Sequence, residues 1–134
     1  NGIQSMDLVA RKMMDGGAAA FSLMDEMAQL ATASKSDLAL AVQVSVAELR
    51  ATTEWLVTQD LNERFAGSVS YQRAFARVLG GYFHLIAASS DDGKRERLGR
   101  FYINSLLPEH NALCAQARVG SSDIYALELN DFAA

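Results

Sequence analysis

From Leu38 to Leu56 small or apolar side chains recur in steps of four and three: Leu38, Val42, Ser45, Leu49, Thr53 and Leu56. This is the seam that a bundle helix presents to its neighbours, and it is incompatible with the two-residue alternation of a half-buried strand. Leu40, Val44 and Ala47 form a second apolar side, so the helix is expected to touch two neighbours. β-Branched residues are frequent here. Even so, the spacing of Glu48, Arg50 and Glu54 and the lack of turn residues favour a helix, predicted from Leu38 to about Arg64.

The flanking segments carry the same period. Residues 2–14 place Ile3, Met6, Val9 or Ala10, and Met13 on one face, and Asp15-Gly16-Gly17 stops them. A second helix is predicted over 18–33, with Ala20, Phe21, Met24, Met27, Ala28 and Ala31 inward. Ser34-Lys35-Ser36-Asp37 follows as a loop whose side-chain oxygens can cap the next helix. Gly67 and Ser68 read as the next break. A helix is then expected over 70–88, with Tyr71, Ala74 or Phe75, Val78, Tyr82, and Leu85 or Ile86 inward. Gly80-Gly81 inside it weakens the helix by roughly 1 kcal/mol per glycine, which a close helix–helix approach would offset.

Ser89 to Gly93 reads as a turn. Residues 94–118 form one helix kinked by Pro108, with Leu98, Phe101, Tyr102, Leu106 and Leu113 inward. Gly120 is a C-terminal cap, and Ser121-Ser122-Asp123 opens a short last helix over 123–129. The expected fold is all-α. It is an up-and-down bundle of four to five main helices with a leading helix and a short terminal one.

Composition agrees with this class and removes others. The 134 residues suffice for about one domain, and half are apolar although only 8% are aromatic. A net charge of −4 with pI near 5.1 opposes a nucleic-acid surface or an anionic membrane surface. Cys114, the lone cysteine, allows no intrachain disulfide and no cysteine-based zinc site. Leu38 to Ala47 is too short to span a bilayer, so neither nucleic acid nor membrane is an expected partner. A reducing cytoplasm fits this cysteine usage.

Catalytic and metal-binding patterns are not found. None of the seven glutamates has a histidine three positions later, so the Glu-x-x-His pairs of di-metal bundles are absent and no metal ligand is assigned. His84 reads as a half-buried packing histidine, and His110, after Pro108 and Glu109, as a residue at a solvated kink. Cys114 and the five methionines read as core, and Trp55 as a core or interface anchor. Lys94, Arg95, Arg97 and Arg100 could serve a phosphate, but the adjoining Asp91, Asp92 and Glu96 favour a solvated face or a subunit contact. Asp91-Asp92-Gly93 lacks the remaining ligands of a calcium loop. No catalytic residue is assigned.

Asn1-Gly2-Ile3-Gln4 followed by Met6-Asp7-Leu8-Val9-Ala10-Arg11-Lys12 is the distinctive run. It resembles the end of the flavin domain in acyl-CoA dehydrogenases of the long bacterial type. There the pattern Tyr-Glu-Gly-Thr-Asn-Gly-Ile-Gln carries the catalytic glutamate. Further along, Asp15-Gly16-Gly17-Ala18, the helix Tyr71 to Gly81, the run Arg100 to Pro108 and the closing Ala126-Leu-x-Leu129 are similar to the helical module appended to those enzymes, the 3-methylmercaptopropionyl-CoA dehydrogenase group included.

The resemblance implies that residues 1–14 end the flavin-domain helix and that residues 18–134 form the C-terminal bundle. It implies a parent enzyme that uses FAD to oxidise an acyl-CoA to the 2-enoyl-CoA, with the base three residues before Asn1. It further implies that Asn1 and Gly2 approach FAD only in the intact parent, and that this fragment is inactive and carries no cofactor. The implied partners are the remainder of the chain, an acyl-CoA substrate and further copies in a homo-oligomer. The alternative is a freestanding helical protein-interaction module.

Overall fold

The computed structural model describes residues 2–89 and 92–132. Asn1, two residues of the predicted turn (Ser90 and Asp91), Ala133 and Ala134 lie outside this set. Six helices run in the order α1 (Ile3–Val9), α2 (Ala18–Ala33), α3 (Ala39–Thr58), α4 (Leu61–Ala88), α5 (Gly93–Ser105) and α6 (Glu109–Ala117). The described residues contain no strand, and the fold is an all-α bundle. α4 is its axis, packing against α5 and α6 and more lightly against α1 and α3, while α2 lies on α3.

The seam on α3 is buried along its whole length, from Leu38 to Leu56. Its polar members are satisfied locally: Ser45 donates to the Val42 carbonyl at 2.8 Å and Thr53 to the Leu49 carbonyl at 2.8 Å. Tyr71 of α4 lies fully buried against this row, with its hydroxyl 2.9 Å from Thr53 Oγ1. The proton of Thr53 is committed to Leu49, so Tyr71 is the donor. Met24, Met27 and Ala31 of α2 and Val78 and Leu85 of α4 complete the centre, as their spacing predicts.

The helix boundaries depart from the sequence reading at four places. Of residues 2–14 only Ile3–Val9 is α-helix, and a 3-10 turn follows at Arg11–Met13. α3 stops at Thr58, because Asp60 caps α4 by accepting from the amides of Asn62 (2.9 Å) and Glu63 (3.1 Å). Gly67 and Ser68 therefore lie inside α4 and are not a break. The predicted single helix over 94–118 is two helices. The amides of Leu106 and Leu107 both bond the Tyr102 carbonyl, and Pro108 opens α6. The expected helix over 123–129 is a set of turns, followed by a 3-10 turn at Leu129–Phe132. A single helical turn with no apolar partner does not nucleate.

Three inward assignments also fail. Ile3 and Met6 of α1 are exposed, and Val9 with Met13 of the following 3-10 turn carries the contact. Leu98 and Phe101 face solvent, while Gly99, Ile103 and Leu107 are buried. Leu40, Val44 and Ala47 on α3, predicted to meet a second neighbour, are exposed as well.

The Asp15-Gly16-Gly17 break is confirmed in detail. Both glycines take positive φ (69° and 83°), and the Asp15 carboxylate accepts from the amides of Gly17 and Ala19. The Ala19 amide holds that carboxyl below the usual carboxylate range.

Candidate functional site: an apolar groove over a buried histidine

Gly2, one of two residues expected to approach a flavin, is exposed at the start of α1. Its carbonyl accepts from Ser5 Oγ (2.8 Å) and from the Met6 amide (2.9 Å). Asn1, the other, lies outside the described residues. Among the described residues, no three His, Cys, Asp or Glu side chains gather to hold a metal ion.

The basic cluster is not brought together on one ligand. Arg100 is engaged in a bidentate pair with Asp37, at 2.7 and 3.1 Å, and reaches Glu96 at 3.5 Å. This pair, tying the start of α3 to α5, holds the Asp37 carboxyl below its usual range. Arg95 pairs with Asp92 across the first turn of α5, and Lys94 and Arg97 are exposed. The solvated-face reading describes them well.

Cys114 is fully buried, and burial pushes its thiol up, away from the reactive thiolate. Trp55 packs half-buried against the core, as expected of an anchor. His84, also half-buried, stacks on Tyr102 with ring centroids 4.3 Å apart. Tyr102 in turn donates to the Arg77 carbonyl at 3.2 Å, across the gap that Gly80 leaves.

His110 overturns its sequence assignment. It is only 4% exposed, and the break at Pro108 is a packed corner, not a solvated kink. Nδ1 lies 2.8 Å from the Leu107 carbonyl, so it carries the proton and donates it. Nε2 is buried with no partner among the described residues. A groove of about 390 Å³ opens at the same place, between α3 and the α5–α6 corner. Its lining is mostly apolar, with Leu40, Val44, Ile103 and Leu107, and also includes Asp37, His110 and Asn111. The signal that could have found it was the uncharged run Leu38 to Ala47, whose second apolar side has no inward partner.

A larger, more polar hollow of about 880 Å³ lies between the α2–α3 loop and α4–α5, with the Asp37–Arg100 pair in its wall. The described residues form a helical domain with an exposed apolar groove on one side.

The model of a family described as "Acetyl-CoA dehydrogenase C-terminal like" matches residues 20–128, and the chain belongs to that family. It is a C-terminal domain of the acyl-CoA dehydrogenase type. No curated protein and no solved structure gives a match. No helix among the described residues is long and apolar enough to cross a membrane.

Proposed function

We propose that this chain is the supporting C-terminal domain of an FAD-dependent acyl-CoA dehydrogenase of the long bacterial type. In this reading the complete enzyme converts an acyl-CoA to the 2-enoyl-CoA in the cytoplasm, with flavin and base supplied by the remainder of the chain. This domain adds buried surface and no reacting group. The observation that carries the reading is the family match over residues 20–128. The Asn1 to Lys12 run supports it independently, since it lies outside that match.

Residues 1–14 are assigned to the end of the flavin-domain helix and residues 18–134 to the bundle, with the glycine turn between them as the joint. Asn1 and Gly2 are the positions nearest the flavin. Exposed Ile3, Met6 and Met14 on the leading segment suit burial against the catalytic part and against further copies. The codons upstream of Asn1 test this. Tyr-Glu-Gly-Thr in frame supports the proposal. A start codon there, or any other tetrapeptide, returns the chain to a freestanding interaction module.

A further inference from the structure

Arg64, at the start of α4, gives its guanidinium to backbone carbonyls. Nη1 donates to Val9 (3.3 Å), Nη2 to Val57 (2.9 Å) and Nε to Gln59 (2.9 Å). Val9 ends α1 and Val57 lies in the last turn of α3, where carbonyls have no partner within their own helix. Neither helix has a basic residue in its last turn. One cation thus completes two helix ends, each of which attracts positive charge.

The contact matters most for α1. Its 7 residues are too few for a helix to stand alone, and Gly2 supplies no side-chain cap at its other end. It is held by Ser5 and Val9, buried where it packs on α4, and by Arg64. Beyond the glycine turn the chain returns to the same corner. A β-carbon on Gly17 would lie 3.1 Å from Cγ1 of Val57. Val9 and Gly17 are therefore both seated on the α3–α4 corner.

We infer that Arg64 is a positioning residue for the dehydrogenation. It sets the direction in which the leading helix leaves the bundle, and so the placing of the base-bearing run just upstream. This rests on the proposed assignment of residues 1–14. At about 1.5 Å per residue, Ile3 is about 9 Å along α1 from Val9, and a tilt of about 6° there moves it about 1 Å. A displacement of that size at a catalytic base costs up to about a hundredfold in rate.

Amide exchange on the 134-residue chain and dye-linked kinetics on the complete gene product test it, with circular dichroism confirming that each variant is helical. In Arg64→Met the Met6 and Ala10 amides, which bond to the Gly2 and Met6 carbonyls, should exchange at least about tenfold faster while Val42 and Val78 keep their rates. The complete Arg64→Met enzyme should lose about ten- to a hundredfold in kcat with KM and flavin content unchanged. Arg64→Lys keeps the charge without the fork and should recover part of that loss. Arg50→Met removes a comparable tie, from α3 to the Phe21 carbonyl of α2 at 3.4 Å, and should leave kcat unchanged.

Unchanged exchange at Met6 and Ala10 overturns the proposal. So does faster exchange with kcat intact, or a loss of kcat that Arg50→Met reproduces or that follows lost flavin. If Arg64→Met does not fold, Arg64→Lys decides by the same two readouts. An unsubstituted gene product with neither flavin nor activity contradicts the enzyme reading itself and this role with it, and is seen before any substitution is made.

Discussion

Gly67 of α4 lies directly against the carbonyl of Ala117 in α6, so close that a β-carbon there would overlap the Ala117 backbone. This contact joins the two most extensively packed helices of the bundle. It explains a glycine that otherwise reads as a helix break. Gly67→Ala should therefore lower stability by about 1–3 kcal/mol, although alanine is the better helix former. Gly93→Ala, where a β-carbon meets open space, should be neutral or stabilising by up to about 1 kcal/mol. Thermal unfolding of the two variants checks the opposite signs.

Tyr71 makes the core sensitive to alkali. Burial pushes its phenol up to about 12 from the ordinary 10.0. The neutral form is the one that fits, so its contribution is complete below pH 10 and is lost as pH rises toward 12. Tyr71→Phe loses the bond to Thr53, at a cost of about 0.5–1.5 kcal/mol at neutral pH. It should also flatten the loss of stability above pH 10, measured by urea unfolding across that range.

Acid acts at a different place. Glu109, in the first turn of α6, accepts from Arg73 and Arg77 of α4 at 2.5 Å each. The Arg77 guanidinium, with Arg73 beside it, holds its carboxyl below the usual range. A depressed carboxyl stabilises the fold above its unfolded pKa, and that stabilisation fades as pH falls through 4 and below. Glu109→Gln should lower stability at pH 7 and leave it less changed by acid, as read from melting temperatures between pH 7 and pH 3.

Removing the Glu63 carboxylate should free the tail before it affects the core. In Glu63→Ala, amide exchange at Ser121 and Ile124 should quicken well before that of Leu49 or Val78. Their protection rests on the Glu63–Ser121 contact and on the Ser121 carbonyl. Equal acceleration throughout would show that Glu63 supports the whole bundle.

The bundle was legible wherever the four-three period ran without interruption, as from Leu38 to Leu56 and from Tyr71 to Leu85. It was misread where one residue type serves two opposite ends. Glycine breaks the chain at Gly16-Gly17, where φ is positive, but at Gly67 it permits helix contact, as it does at Gly80 and Gly81, whose place inside a helix was read correctly. Asp60 was overlooked because a cap depends on side-chain geometry, and no apolar period marks it. The groove was hidden for a related reason. Periodicity names Leu40 and Val44 as apolar, yet only packing shows which apolar side of α3 is covered. The burial of His110 depends on the α5–α6 corner, which no local pattern encodes.

The proposed function gives this chain a supporting role in an acyl-CoA dehydrogenase whose flavin and base lie elsewhere. Visible absorbance and acyl-CoA-dependent dye reduction, measured side by side on the 134-residue chain and on the complete gene product, test it most directly. The expected result is a colourless, inactive chain and a yellow gene product that reduces the dye when given an acyl-CoA. Flavin bound by the 134-residue chain alone, or a complete product with neither flavin nor activity, would contradict it.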